Sequence, residues 1–204
     1  MSEFAGTDSS QTQDRLNAVV LVGGRSRRMG RPKQNLRRAG ATLVEVAVAA
    51  VGKSVDRVVL AGDGKVPKDL DGLERLADAP GVPGPLGGIL AAMRWAPDSA
   101  WIVAACDIPR VRQEAVAWLV SERSPEFWAV LPQTVMGRVE PLLAVYEPRM
   151  REVLERRAAD GRYGMQGLVE SDRVWCPSPP ESLRDAWVNV NTMEEFESSA
   201  VIDV

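Results

Sequence analysis

Between Leu21 and Lys33 the chain reads LVGGRSRRMGRPK, which sets Gly23, Gly24 and Gly30 among Arg25, Arg27, Arg28, Arg31 and Lys33. Glycine lets a backbone approach a ligand closely and turn its N–H groups toward anionic oxygens, while guanidinium and ammonium groups neutralise the charge. The chemistry this segment suits is the binding of a phosphate chain. Neither the GxxxxGK[ST] nor the GxGxxG spacing is present, so the loop is not one of the two commonest nucleotide loops. The plain alternative is a strand-to-helix turn with solvated arginines. Five basic residues within nine positions, in a chain of net charge -3, favour phosphate. Lys33 suits the negative charge that builds on a transferring phosphate, although a lysine there could also be a solvated surface group.

Two carboxylates follow. Asp107 comes just after the apolar run WIVAA and Cys106, and before Ile108 and Pro109. At the carboxyl end of a buried strand it could hold Mg²⁺ against phosphate oxygens, or it could cap a helix beginning near Pro109. Asp78 ends LERLAD and opens a Pro/Gly-rich run, Ala79 to Gly88, that contains GPLGG (Gly84, Pro85, Leu86, Gly87, Gly88). Glycines there permit close backbone approach and prolines hold the shape, as wrapping a flat base requires; an acidic turn residue before a rigid connector is the alternative. Asn189 and Asn191 in NVNT could contact a ligand through their amides or could serve a turn.

The chain has no histidine, which excludes imidazole bases, Ser/His/Asp triads and His-ligated zinc. Cys106, beside a buried strand end without an imidazole, is expected to pack as a small apolar residue. Trp95, Trp101, Trp118, Trp128, Trp175 and Trp187 are expected as core or half-buried anchors.

The elements that must position these groups alternate. Ala18 to Val22, Arg57 to Leu60, Trp101 to Ala105, Phe127 to Leu131 and Leu142 to Tyr146 are continuous apolar runs of the kind buried in parallel sheets, and Leu73 to Asp78 could form another short strand. Leu43, Val46, Ala47, Ala50 and Val51 make one helical face ending near Gly52; Leu86, Ile89, Leu90 and Met93 repeat the pattern. Further helices are expected around Ala115 to Val120, after Pro148 through Met150, Val153 and Leu154, and from Thr192, with Glu195 as its capping-box partner. Pro177 to Pro180 should be a rigid surface loop. The alternation predicts an α/β fold, a three-layer α/β/α doubly wound sandwich with a mostly parallel sheet and ligands at the carboxyl ends of its strands.

The 204 residues are 45% hydrophobic and 26% charged, which fits one domain over 15–204 after a polar extension, 1–14, expected to be mobile. A net charge of -3 argues against nucleic acid as a partner, and no apolar run approaches a membrane span. Two cysteines and an amino terminus without a secretory layout predict a cytoplasmic location.

The segment Leu21 to Lys33 resembles the signature of the molybdenum cofactor guanylyltransferases, Leu-x-Gly-Gly-x-Ser-x-Arg-Met-Gly followed shortly by Lys. The resemblance extends over 17–200 through Asp78, GPLGG, ACDIP (Ala105 to Pro109), Glu-Pro-Leu (Glu140 to Leu142) and NVNT. It implies a Rossmann-like nucleotidyltransferase that moves GMP from GTP onto molybdopterin and releases pyrophosphate. It also implies Leu21, Val22, Gly23 and Gly24 around the triphosphate, Lys33 and Arg28 on the phosphates, and Asp107 as Mg²⁺ ligand. Asp78 and GPLGG would lie near the nucleoside, and Asn189 and Asn191 at the edge of the site. Transient contacts with molybdoenzymes or cofactor-assembly proteins are implied as well. One position departs: the residue before Lys33 is Pro32 where guanylyltransferases carry aspartate, and Pro-Lys resembles the related cytidylyltransferases. Another acceptor on the same fold, such as a sugar phosphate, and a nucleotide-binding module without turnover stand as alternatives. The joint presence of Lys33 and Asp107 speaks against the last.

Overall fold

The computed structural model describes residues 15–23, 35–38, 40–134, 137–190 and 192–201. Arg28, Lys33, Gly24, Pro32, Asn191 and the segment 1–14 lie outside the described residues.

A seven-stranded sheet organises the chain. Its strands are β1 (Leu16–Leu21), β4 (Arg57–Ala61), β5 (Glu74–Leu76), β6 (Ala100–Ala105), β7 (Ala129–Val130), β8 (Leu143–Tyr146) and β9 (Val174–Trp175), in the order β5-β4-β1-β6-β8-β7-β9. A separate two-stranded hairpin joins β2 (Arg37–Arg38) to β3 (Ala41–Thr42). The helices are α1 (Leu43–Gly52), α2 (Pro85–Trp95), α3 (Gln113–Ser121), α4 (Met150–Ala159) and α5 (Met193–Val201).

The strands at the centre have no polar face because both faces are covered. Ala18 and Val20 of β1 pack into one core with Val44, Ala47 and Val51 of α1 and Val116 and Leu119 of α3. Val19 packs into a second core with Ile89, Leu90 and Met93 of α2 and Leu154 of α4. Successive side chains of a strand point to opposite faces, so this division makes the three layers, helix over sheet over helix. Helix α1 starts where Thr42 and Glu45 form a capping box: Glu45 accepts from Thr42 N–H at 2.6 Å, and Thr42 Oγ1 accepts from Glu45 N–H at 3.4 Å. Thr192 and Glu195 form the expected box ahead of α5.

Strand β8 departs from expectation. It runs antiparallel to both β6 and β7, whereas β5, β4, β1 and β6 are mutually parallel. The described residues between β7 and β8 carry an antiparallel bridge, Gln133 to Val139, and no helix, and a strand that returns without a crossover must run antiparallel. Its continuous apolar run reports burial on two faces and not direction: Leu143 and Val145 join one core, Ala144 and Tyr146 the other.

Smaller differences have similar causes. The run Phe127 to Leu131 contributes only Ala129–Val130 as strand, and Phe127 instead stacks on Trp175, ring centroids 5.5 Å apart. Trp101 and Trp187 are buried, but Trp95 and Trp175 are exposed, contrary to their expected role as anchors. Pro177 and Pro179 are buried, so the Pro177 to Pro180 segment does not lie wholly on the surface. Among the described residues, no helix is long and apolar enough to cross a membrane.

Candidate active site at the carboxyl edge of the sheet

Three neighbouring strands stop level with one another. Leu21 pairs with Ala61 on one side and with Ala105 on the other, so the backbone leaving β1, β4 and β6 emerges along one edge. A cavity of about 250 Å³ opens there. Leu21, Val22 and Gly23 line it from β1, Ala61 and Gly62 from β4, and Ala105, Cys106 and Asp107 from β6. Asp78, Gly84, Pro85 and Gly88 close another side, and Leu142 enters from the start of β8.

The shape of the wall requires two glycines. Gly62 has φ +111 and packs so tightly that a Cβ would lie far inside van der Waals contact of the Val22 carbonyl. The amide of Val22 donates to Ala61 O at 2.7 Å and that of Gly64 to Val22 O at 2.9 Å, which fastens the two turns together. Gly88 lets α2 press against the strand ends, since a Cβ there would stand 2.7 Å from Leu21 Cδ2 and 3.2 Å from Ala61 Cβ. The amino end of α2, with Pro85 in its first turn, thus faces the cavity, where exposed N–H groups and the helix dipole favour an anion.

Two pairs of carboxylates set the electrostatics. Asp78 is open to the cavity, yet the protein crowded around it, and secondarily the Asp63 carboxylate, raise its pKa above the ordinary carboxylate value. Glu140 has its pKa raised by burial, which Arg138 opposes and which Asp107, the smallest influence of the three, reinforces.

The expected site residues divide into three groups. Leu21, Val22, Gly23, Asp78, Gly84, Pro85 and Asp107 meet at the cavity. Leu86 instead turns into the core between α2 and the sheet, and Gly87 is buried behind the wall. Asn189 is half-buried, and its neighbour Val190 donates its N–H to Asp107 O at 2.9 Å, so this segment is latched to the Asp107 turn. Gly24, Arg28, Lys33 and Asn191 are outside the described residues. The capping alternative for Asp107 fails, because α3 begins at Gln113 with Arg112 at its N-cap. Cys106 is buried, as expected of a packed residue.

Sequence reasoning passed over Gly62 and Asp63, and it named Glu140 only within the Glu-Pro-Leu motif, without a role. The first two stand in a Gly-Asp-Gly directly after a strand run, a turn signal that would have marked this edge. Glu140 precedes the reversed strand, and no spacing rule connects it to Asp107.

Among the described residues, no three histidine, cysteine or acidic side chains gather as a metal cage. The Asp107 carboxylate at the cavity is an oxygen donor of the kind a hard divalent cation takes.

A probable molybdenum cofactor guanylyltransferase of Bacillus licheniformis is 30% identical over 190 residues, covering 88% of this chain and 93% of the relative. Another from Bacillus anthracis is 29% identical over 203 residues, covering 96% and 95%. The crystal structure of molybdopterin-guanine dinucleotide biosynthesis protein A from Archaeoglobus fulgidus is 26% identical with TM-score 0.74, covering 91% of this chain and 97% of that one. A nucleotidyl transferase from Methanothermobacter thermautotrophicus, 18% identical with TM-score 0.73 over 93% and 97% of the two chains, shares the fold. With residues 18–174 matching the MobA-like NTP transferase domain, and the strand-edge cavity falling within that span, the chain belongs to the MobA-like NTP transferase domain family.

Proposed function

We propose that this protein transfers GMP from GTP onto the terminal phosphate of molybdopterin and releases pyrophosphate. The observation that carries this reading is the convergence, at one strand edge, of a glycine-bounded cavity, the amino end of α2 and the carboxylates Asp78 and Asp107. An oxygen of the acceptor phosphate attacks the α-phosphorus, a P–O bond forms, and the bond to the β-phosphate oxygen breaks. A phosphate monoester is already ionised near neutral pH, so the absence of histidine is no obstacle. Positioning and charge neutralisation supply the catalysis.

In this scheme the loop beginning at Val22 and Gly23 cradles the triphosphate with Gly24, Arg28 and Lys33. Asp107 would hold Mg²⁺, which would neutralise phosphate charge. Asp78, with Gly84, Pro85 and Gly88, holds the nucleoside. A carboxylate can accept from the adjacent N1–H and N2–H₂ donors of guanine, whereas cytosine presents only its N4 amino donor. Asn189 and Asn191 border the acceptor.

Pro32 before Lys33 favours a second reading, transfer of CMP. Incubation with Mg²⁺, molybdopterin and each NTP separately, with pyrophosphate release as the readout, decides between them. Release with GTP alone is expected. Release with CTP alone would move the assignment to cytidylyl transfer, and release with none would end both.

A further inference from the structure

The amino edge of the sheet, opposite the candidate active site, holds a second cleft of about 710 Å³. Asn17 near the start of β1 lines it, whereas Leu21 at the end of the same strand lines the first cavity. The two residues stand roughly 13 Å apart along the strand. Helix α2 spans the same interval, with Pro85 at the first cavity and Trp95 at the second.

Alternation puts the Asn17 side chain on the face of β1 that carries Val19, under α2. Its neighbours in register are Arg57 of β4 and Trp101 of β6, and Val19, Trp101 and Val103 make the rest of that face apolar. Asn17 is 4% exposed and Ser99 5%, and both line the cleft. Among the described residues neither side chain makes a hydrogen bond. Neither is sealed from solvent, so the amide and the hydroxyl open onto the cleft. Buried polar groups are as a rule partnered, and these two can find partners only in what fills the cleft.

Two cations reach the same space. Arg15 and Arg57 line it, and among the described residues neither forms an ion pair. The Arg57 guanidinium lies over the Trp95 ring, 5.9 Å from its centroid, which leaves its in-plane N–H groups available to an oxyanion. Trp95 is itself held edge-on against Trp101, centroids 6.2 Å apart, so an exposed tryptophan has a fixed place here. The lining carboxylate, Asp56, accepts from Leu16 N–H at 3.3 Å. Ala96 O, just beyond α2, already accepts from Ser99 N–H at 3.3 Å and Trp101 Nε1 at 3.4 Å. Two guanidinium groups therefore stand against one carboxylate that the backbone engages. A carboxylate ligand would present two oxygens to them. A phosphate monoester presents three and carries nearly two charges, enough for both.

We propose that this cleft binds a small phosphate ester with a hydroxylated body, its phosphate on Arg15 and Arg57 and its hydroxyl groups on Asn17 and Ser99. The site is separate from the transferase cavity and does not depend on the transferase reading.

Ribose 5-phosphate and inorganic phosphate serve as probes, titrated calorimetrically into wild type, Arg57→Gln and Asn17→Leu. Each protein is first saturated with Mg²⁺ and a non-hydrolysable GTP analogue to fill the first cavity. Ribose 5-phosphate should bind wild type more tightly than inorganic phosphate does. Arg57→Gln should weaken both by about tenfold to a hundredfold, and Asn17→Leu should weaken the ester alone, toward the affinity of inorganic phosphate. Without ligand, Asn17→Leu should melt no lower than wild type, since it removes an amide that no protein group engages. No binding of the ester to wild type, or equal binding to Arg57→Gln, overturns the proposal. Inorganic phosphate binding as tightly as the ester would make the cleft a site for free phosphate and overturn it too. A lower melting temperature in Asn17→Leu would show the amide holding the fold and would overturn its assignment to the ligand. Failure of GTP-dependent pyrophosphate release in wild type would count against the transferase reading alone.

Discussion

Gly62 stands against the carbonyl of Val22, with φ +111 and no room for a Cβ between the turns that leave β1 and β4. Backbone opposes backbone there, so no side-chain rotation can relieve a substitution. Gly62→Ala should destabilise the protein by about 1–3 kcal/mol, from left-handed strain and the forced separation of the turns. Turnover should fall with it, because Val22 and Gly23 form the cavity wall. Urea unfolding and a pyrophosphate assay on the same variant check this; wild-type stability would show that the turns are not pressed together as described.

Asp107→Asn separates charge from shape. No helix starts at Asp107, so its loss as a cap costs nothing, and a change within about 0.5 kcal/mol is expected for stability. If the carboxylate holds Mg²⁺ as proposed, turnover should drop on the order of a thousandfold or more. The comparison is made across a Mg²⁺ titration. Near-wild-type activity at every concentration would remove Asp107 from the metal site.

Asp78 should trade stability for function. Its pKa is raised by crowding and by Asp63, so its contribution favours folding at low pH and is lost as pH rises through the folded-state value. At neutral pH the ionised carboxylate is a cost. Asp78→Asn should therefore melt above wild type near pH 7, and the difference should shrink as the pH is lowered toward about 4. The same variant should be stabilised less by GTP. Thermal melts over a pH series, with and without nucleotide, test both signs; a variant that melts below wild type at neutral pH contradicts the first.

Lys33→Ala is expected to lower turnover by about a hundredfold or more, as removal of one charge-stabilising donor does in other transfers. Its melting temperature without ligand should stay at the wild-type value. Unchanged turnover in a folded variant would exclude the residue from the transferring phosphate.

How far the chain alone carried these conclusions depends on the range of each interaction. The apolar runs that became β1, β4 and β6, the helical faces of α1 and α2 and the capping box ahead of α5 were legible because propensity and periodicity act over a few residues. That Asp78, Asp107, Gly84, Pro85 and Gly88 would lie near one another at the strand edge was legible because glycine chemistry and a carboxylate at a strand end are local signatures, whereas Leu86 and Gly87 of the same motif turned inward. Three things required the folded chain. The direction of β8 followed from a connection without a helix, while its composition reported only burial on both faces. Gly62 joined the cavity wall because β1, β4 and β6 end in register, a matter of strand pairing that no single segment encodes. Arg112 met Asp185 across 73 residues, since charge clusters form between the ends of elements that packing brings together, and side-chain type sets no partner at that separation.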